Sequence, residues 1–248
     1  MTLNNKKIIE IVDDNYVHAS VLFYFGIEFY DYSQKTLEQA CRERGLNVNS
    51  VIQKLESVYH CEEENLSLRE YPVELIIEYL KHTHYIFIKQ KLPYIARIID
   101  NFHAGHPDYD FIEKDLKFVF PLFVEDFIHH IYQEEDTLFS YISALNKFIK
   151  KDNNISRVFY LMEKHSLQRY AVEHGEHDDE MKGIRRITNN YAYDKQTPLH
   201  VRIIYEELKD LEKSLITHAK IENDILFPKA LMLEKEVKAR FKETIRFN

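Results

Sequence analysis

Apolar residues recur at steps of three and four in four long stretches, beginning at Pro72, Leu116, Leu167 and Ile204. This spacing places the apolar residues of each stretch on one face of a long α-helix. Alternating steps of three and four are typical of the seam between packed helices, so the four stretches predict an antiparallel four-helix bundle. Shorter runs between Lys6 and Glu64 predict a small helical N-terminal domain, and the fold class is therefore all-α.

The two predicted domains are separated by a polar segment. The acidic run Glu62-Glu63-Glu64, followed by Pro72, is typical of a linker. We therefore expect the small helical domain at residues 1–66 and the bundle at residues 67–248. Within the small domain, Gly45 is expected to end the third helix, and either Asn47 or Asn49 is expected to cap the fourth.

Histidine or glutamate interrupts each long apolar stripe. A ten-residue segment with such an interruption occurs twice, beginning at His130 and at His218. In both copies Glu follows four residues after His, then Asp two residues later, then Leu-Phe. Residues four apart lie on the same face of a helix, so each copy presents an imidazole and a carboxylate together.

The two glutamates of the repeat, Glu134 and Glu222, fall at positions whose neighbours along the stripe are apolar. A buried charge without compensation costs several kcal/mol, and two facing carboxylates repel each other. A single histidine on an apolar stripe is usually a satisfied core residue. Four interrupted stripes in core register instead favour a dinuclear metal site, in which Glu134 and Glu222 bridge the ions and histidines cap them.

The first and third stripes supply further candidate ligands. His84 shares the first stripe with Leu80 and Phe87, whereas His82 points elsewhere. His174 and His177 are both in register on the third stripe and remain alternatives. The candidate metal ligands are therefore His84, His130, Glu134, His174, His177, His218 and Glu222.

The remaining histidines are weaker candidates. His103 would lie about 28 Å along a straight helix from His84, at ~1.5 Å per residue, which is too far for one dinuclear site. We therefore expect His103 and His106 in a loop at a helix end. His165 and His200 have no partner motif and are expected at the surface.

Composition narrows the function classes. The chain has 33 Lys and Arg against 41 Asp and Glu, a formal charge of −8, which argues against nucleic acid or anionic membrane as the main partner. No stretch approaches the ~20 apolar residues of a membrane span, and no signal peptide is recognised, so we expect a cytoplasmic protein.

The two cysteines are too few for a disulfide framework, and Cys41 is expected in the core. Imidazole and carboxylate ligands without thiolate suit iron, manganese or zinc.

The two His/Glu repeats resemble the hemerythrin-like domain. The segments Val17–Phe29 and Lys35–Cys41 resemble the small domain that precedes it in the iron-sulfur cluster repair di-iron proteins. The resemblance covers nearly the whole chain and implies two iron ions with an oxo or hydroxo bridge. It places the iron ligands at His84, His130, Glu134, His174 or His177, His218 and Glu222. In that family the third-helix ligand precedes a Thr-Asn pair by about the number of residues that separates His174 from Thr188-Asn189, which favours His174. The family's local motif around this ligand instead matches Glu176-His177-Asp178-Asp179, which favours His177.

The resemblance also implies a function in the stress response. The family restores iron-sulfur clusters damaged by oxidative or nitrosative stress, so iron-sulfur proteins are the expected clients and nitric oxide or oxygen the expected small ligand. The family usually has two adjacent cysteines where this chain has Tyr30 and Asp31. The alternative is a hemerythrin-like module that senses or binds oxygen, nitric oxide or iron without catalysis. Whether the chain is an enzyme or forms a homodimer is left open.

Overall fold

The computed structural model describes residues 3–57, 68–103, 107–150, 155–167, 170 and 180–246. In these ranges the regular elements are helices, apart from one isolated β-bridge between Lys7 and Thr36. The all-α fold is therefore confirmed. The chain divides into two compact units. One comprises Met1–Asn65, Tyr94–Asp115 and Thr188–Lys209, and the other comprises Leu66–Pro93, Leu116–Ile187 and Asp210–Asn248. The domain boundary at 66/67 stays a prediction.

The N-terminal part of the first unit is built from four short helices. They are α1 (Ile8–Asp14), α2 (Val17–Tyr24), α3 (Leu37–Arg44) and α4 (Val48–Ser57), after a 3-10 turn at Leu3–Asn5. Thr36 and Gln39 form a capping box at the start of α3, and Gly45 ends that helix with a φ of 67°. The Asn47 side chain accepts from the backbone N–H of Asn49, so Asn47 is the cap of α4. Cys41 is buried, as expected.

Longer helices follow, with bounds α5 Val73–Ile86, α6 Leu92–Asp100, α7 Asp110–Glu134, α8 Ser140–Lys150, α9 Ile155–Lys164, α10 Lys182–Ile187, α11 Leu199–Ile221 and α12 Phe227–Arg246. Short 3-10 turns occupy Leu68–Glu70 and Pro107–Tyr109. In the second unit, α12 and α9 both pack against α8. One apolar core joins these helices to α5, through residues that include Leu80, Ile142, Val158 and Ala230. The first, second and fourth apolar stripes thus contribute to a helical bundle, and most of the third stripe lies outside the described residues.

Three π-helical segments join consecutive α-helices: Phe87–Lys91, Glu135–Phe139 and Glu222–Leu226. Two of them directly precede a helix whose second residue is proline, Pro93 or Pro228. Proline has no backbone N–H to donate and clashes with the carbonyl four residues before it, and a wider π turn relieves both problems without ending the helix. In the third segment the Ser140 hydroxyl donates to the carbonyl of Glu135.

The π segments shift the register that the simple spacing predicts. On the fourth stripe Ile225 was expected in the core, but Leu226 is the fully buried residue and Ile225 is half-buried. A π turn contains more residues than an α turn, so the next core position comes later than a regular helix would place it. On the second stripe Ile131 is buried and His130 is half-buried, which corrects the expected core position of His130.

Among the helices of the described residues, none combines the length and the apolar character that crossing a membrane requires.

Candidate metal centre

Four of the predicted ligands meet in the second unit. One donor atom from each of His84, Glu134, His218 and Glu222 lies within 4.8 Å of the corresponding atoms of the other three. All four side chains are buried, and Glu222 is only 1% exposed. A buried group of two imidazoles and two carboxylates is a donor set that could hold a metal ion.

The positions of these residues on their helices explain why they converge. His84 lies in the last turn of α5, and Glu134 is the last residue of α7. His218 lies in the last turn of α11, and Glu222 begins the π segment that follows. Each of the three helices therefore supplies its donor at or just before a π segment. Such segments occur often at functional sites because they re-aim side chains without breaking the helix.

The spacing of the donor atoms suits coordination. The Nε2 atoms of His84 and His218 are 3.0 Å apart, and Nε2 of His218 is 3.0 Å from Oε1 of Glu222. Nε2 of His84 is 3.5 Å from Oε2 of Glu134. Two donors bound at ~2.1 Å to one ion lie roughly 3 to 3.5 Å apart for the angles of octahedral or tetrahedral geometry. The residues present therefore fit a metal ion.

The electrostatics of the group also favour a cation. Burial, reinforced by the neighbouring His218, lowers the pKa of His84 to about 4. His84 is therefore neutral at neutral pH, which is the form that coordinates a metal. Burial, and then the nearby Glu222 carboxyl, raise the pKa of Glu134 well above its usual value. Two buried carboxyls side by side resist ionisation, and a bound cation would remove that penalty.

Glu135 orients one of the imidazoles. Its Oε1 lies 2.8 Å from Nδ1 of His84, so the ring donates from Nδ1 and Nε2 remains available as a donor atom to metal. Nδ1 of His218 has no such partner within the described part of the chain. Sequence reasoning missed Glu135 because it considered only residues on the apolar stripe. The sequence contains one indication of this role. The two copies of the repeat differ directly after the shared glutamate, where the first copy has Glu135 and the second has Asn223.

Aromatic rings enclose the two imidazoles. Phe139 stacks nearly parallel to His84, with ring centroids 5.7 Å apart. Phe87 meets His218 edge-on at 5.8 Å, and Phe127 packs against Phe87 in the same way at 5.6 Å. These rings keep bulk water from this side of the group and lower the local dielectric constant, which strengthens the binding of a cation by the carboxylates.

The other predicted ligands are not in this group. His130 is half-buried, and its ring stacks on Phe127 at 6.4 Å. His174 and His177 lie outside the described residues, as does His106. His103 is exposed in the segment after α6, with Nδ1 3.5 Å from a carboxylate oxygen of Glu113. It is a loop residue, as expected.

Two histidines that were expected at the surface are half-buried instead. In the first unit, His200 donates from Nε2 to the carbonyl of Ile98 at 2.9 Å, and its ring lies parallel to Tyr30 at 5.5 Å. In the second unit, Nδ1 of His165 lies 2.7 Å from the hydroxyl of Tyr170. The prediction was wrong for both, because apolar spacing along one helix does not reveal ring contacts with other segments, such as that of His165 with Tyr141 of α8.

Tyr30 occupies one of the two places where the resembling family has cysteines. Its hydroxyl donates to the Glu28 carboxylate, which also pairs with Arg97 at 3.3 Å. Burial, and then the bond to Glu28, raise the pKa of Tyr30. Together with the stacking on His200, these contacts give Tyr30 a packing role in the first unit.

Comparison with known proteins supports the resemblance. No protein-family model matches the chain. The chain is 19% identical over 233 residues to the iron-sulfur cluster repair protein ScdA of Staphylococcus haemolyticus, an alignment that covers 92% of this chain and 99% of the relative. It is 24% identical over 221 residues to the iron-sulfur cluster repair protein YtfE of Cronobacter sakazakii, an alignment that covers 88% of this chain and 92% of the relative. The chain is similar over nearly its whole length to proteins named iron-sulfur cluster repair proteins.

A further relative shows the same similarity. ScdA of Staphylococcus epidermidis is 20% identical over 228 residues, covering 90% of this chain and 96% of the relative. The alignments span both the short N-terminal helices and the bundle. The family resemblance predicted from the repeats and from the N-terminal segment is therefore confirmed across nearly the whole chain.

Proposed function

We propose that this chain is a non-haem di-iron protein that repairs iron-sulfur clusters damaged by oxidative or nitrosative stress. The observation that carries the proposal is the buried group of His84, Glu134, His218 and Glu222. Its support comes from relatives named iron-sulfur cluster repair proteins that match nine-tenths of the chain. The repair function follows from those names, and the metal requirement follows from the buried donors.

In this proposal His84, Glu134, His218 and Glu222 would hold two ions. His130, with His174 or His177, would supply the remaining ligands. The donor set has no thiolate, which suits iron and disfavours copper(I). When bound, iron with an open coordination position supplies the capacity to bind nitric oxide or oxygen or to pass to an acceptor protein.

The residues of the chain control access to the centre and its charge. Glu135 fixes the tautomer of His84, so that Nε2 faces the ligand group. Phe139 and Phe87 shield the imidazoles from bulk water. The pKa of Glu134 is raised by burial and by the nearby Glu222, so a cation that binds this carboxyl would displace a proton, and binding of metal would depend on pH.

Several features remain predictions. Iron-sulfur proteins are the proposed clients, and nitric oxide or oxygen is the proposed small ligand. A cytoplasmic location and the absence of nucleic-acid or membrane partners rest on composition, and whether the chain forms a homodimer stays open. The oxo or hydroxo bridge between the ions rests on the family resemblance.

Recovery of a damaged client tests the function. The iron-loaded protein is mixed with an enzyme whose iron-sulfur cluster has been nitrosylated, and the recovery of that enzyme's activity is followed over time. We expect faster and more complete recovery than an equal amount of ferrous ion gives. The matched control is Glu222→Leu protein prepared in the same way, which should give no more recovery than ferrous ion alone.

The same experiment discriminates between the two candidate functions. If the iron-loaded protein gives no recovery beyond that of ferrous ion, repair is contradicted. A protein that still holds two irons and binds nitric oxide in that outcome would be the sensing or binding module.

A further inference from the structure

A cavity of about 350 Å³ lies in the second unit, between α5, α8 and α9. Its lining includes Lys81 from α5, Ser143 and Lys147 from α8, and Arg157 from α9, with Phe139 forming part of the wall. This volume is at the lower end of the range typical of small-molecule sites, ~300–1,000 Å³. The cavity is therefore large enough to admit a small ligand.

The charge of the lining is unusual for this chain. Three cationic side chains from three different helices surround the cavity, although the chain carries a formal charge of −8. Among the described residues that line it, none is acidic. Like charges brought together by the fold repel one another, and a bound anion would offset this repulsion.

Two lysines of α8 differ in whether they face the cavity. Lys150 lies outside the cavity and pairs with Glu74 of α5. Lys147, one turn earlier on the same helix, faces the cavity, and Lys81 faces it from α5. Within the described residues neither Lys81 nor Lys147 forms an ion pair with a protein carboxylate. Their charges are therefore left for a ligand.

We propose that this cavity binds a small dianion of the phosphate or dicarboxylate class. Lys81 and Lys147 supply the charge, and Arg157, which also interacts with the protein, adds a guanidinium, a group that suits either class of anion. The Ser143 hydroxyl supplies a neutral donor. Phe139 forms part of the cavity wall and also stacks on His84, so the bound anion lies beside the metal centre without using its ligands.

Calorimetric titration of the full-length, metal-loaded protein tests this site. Inorganic phosphate is the probe in one arm and succinate in the other, at constant ionic strength. We expect one saturable site for at least one probe, and the preferred probe identifies the ligand class. Lys147→Gln and Arg157→Gln should each weaken binding about tenfold or more, as the loss of a charge-assisted hydrogen bond does.

Lys150→Gln is the matched control, since it removes the same charge from the same helix outside the cavity. Its affinity should equal that of the wild type. The site is refuted if neither probe gives saturable binding. It is also refuted if Lys147→Gln and Lys150→Gln weaken binding equally, which would indicate general charge attraction. Binding that survives both Lys147→Gln and Arg157→Gln would place the anion on the metal and refute the site as well.

Discussion

Nδ1 of His84 lies 2.8 Å from Oε1 of Glu135, across two helical segments of the bundle. This contact determines which nitrogen of His84 carries the hydrogen and leaves Nε2 directed toward His218, Glu134 and Glu222. A carboxylate that holds a ligand histidine in this way raises its basicity and fixes its ring. Glu135 is therefore a positioning residue of the proposed centre.

Replacing Glu135 by alanine should weaken metal binding by about tenfold to 100-fold, because His84 loses the partner that fixes its tautomer. Competition with a chelator of known affinity measures this change. Glu135→Gln keeps a hydrogen-bond acceptor for Nδ1 and should recover part of the loss. The control is Asp136→Ala, since Asp136 is the exposed neighbour. Equal affinities of Glu135→Ala and wild type would contradict the positioning role.

Replacing Glu134 or Glu222 by leucine should abolish dinuclear binding and leave the bundle folded. Leucine suits an apolar seam, and removing one of two neighbouring buried carboxyls relieves their mutual repulsion in the metal-free protein. Metal content and denaturant unfolding of the metal-free variants measure the two effects. Glu125→Leu, at an exposed position of α7, is the control. A Glu134→Leu protein that still holds two metals per chain would disprove the bridging assignment.

The sequence predicted the all-α fold class, and it selected four residues that the structure brings together, because both depend on local periodicity. His84, Glu134, His218 and Glu222 were found because polar residues at core positions are costly and conspicuous. The core position predicted for His130 was wrong. From Phe127 a step of three leads to His130 and a step of four leads to Ile131, both steps fit an apolar stripe, and the structure buries Ile131. Glu135 was missed because its role comes from a contact with another helix.

The π segments could not be read from spacing alone. Pro93 and Pro228 are local causes that the sequence does contain, and they explain two of the three segments. The third has no proline, and its hydrogen bond from Ser140 to Glu135 is visible only in the structure. The cationic cavity was missed for a similar reason, since Lys81 is far in sequence from Lys147 and Arg157.

His84 should make the stability of the metal-free protein depend on pH. Its pKa is about 4 in the folded state against 6.5 when unperturbed, so the unfolded chain binds more protons between these values. The free energy of unfolding should therefore fall as pH falls from 6.5 to about 4, by on the order of 3 kcal/mol from this group, and the contribution should stay constant below that.

Urea unfolding at several pH values, on wild type and on His84→Leu, isolates this contribution. The wild type should lose stability relative to the variant as pH falls through the window. His82→Leu is the control, because His82 is exposed two residues away. A constant difference between wild type and His84→Leu from pH 7 to pH 4 would contradict the burial of a neutral His84.

Tyr30→Phe should lower the free energy of unfolding by about 1–2 kcal/mol, because the Glu28 carboxylate loses a hydrogen bond while the ring still stacks on His200. Metal content should not change, since Tyr30 belongs to the first unit and the four donors of the centre belong to the second. Tyr32→Phe is the control, because the Tyr32 ring contacts Lys35 and Arg44 through its face. A loss of metal from Tyr30→Phe would show that this position serves the centre.

The central claim is that the buried group of His84, Glu134, His218 and Glu222 belongs to a dinuclear iron centre. The most direct test is elemental analysis of the wild-type protein, purified without chelator, loaded anaerobically with ferrous ion and desalted. The account predicts two iron ions per chain. A protein that holds none of iron, manganese or zinc at close to two ions per chain would contradict it.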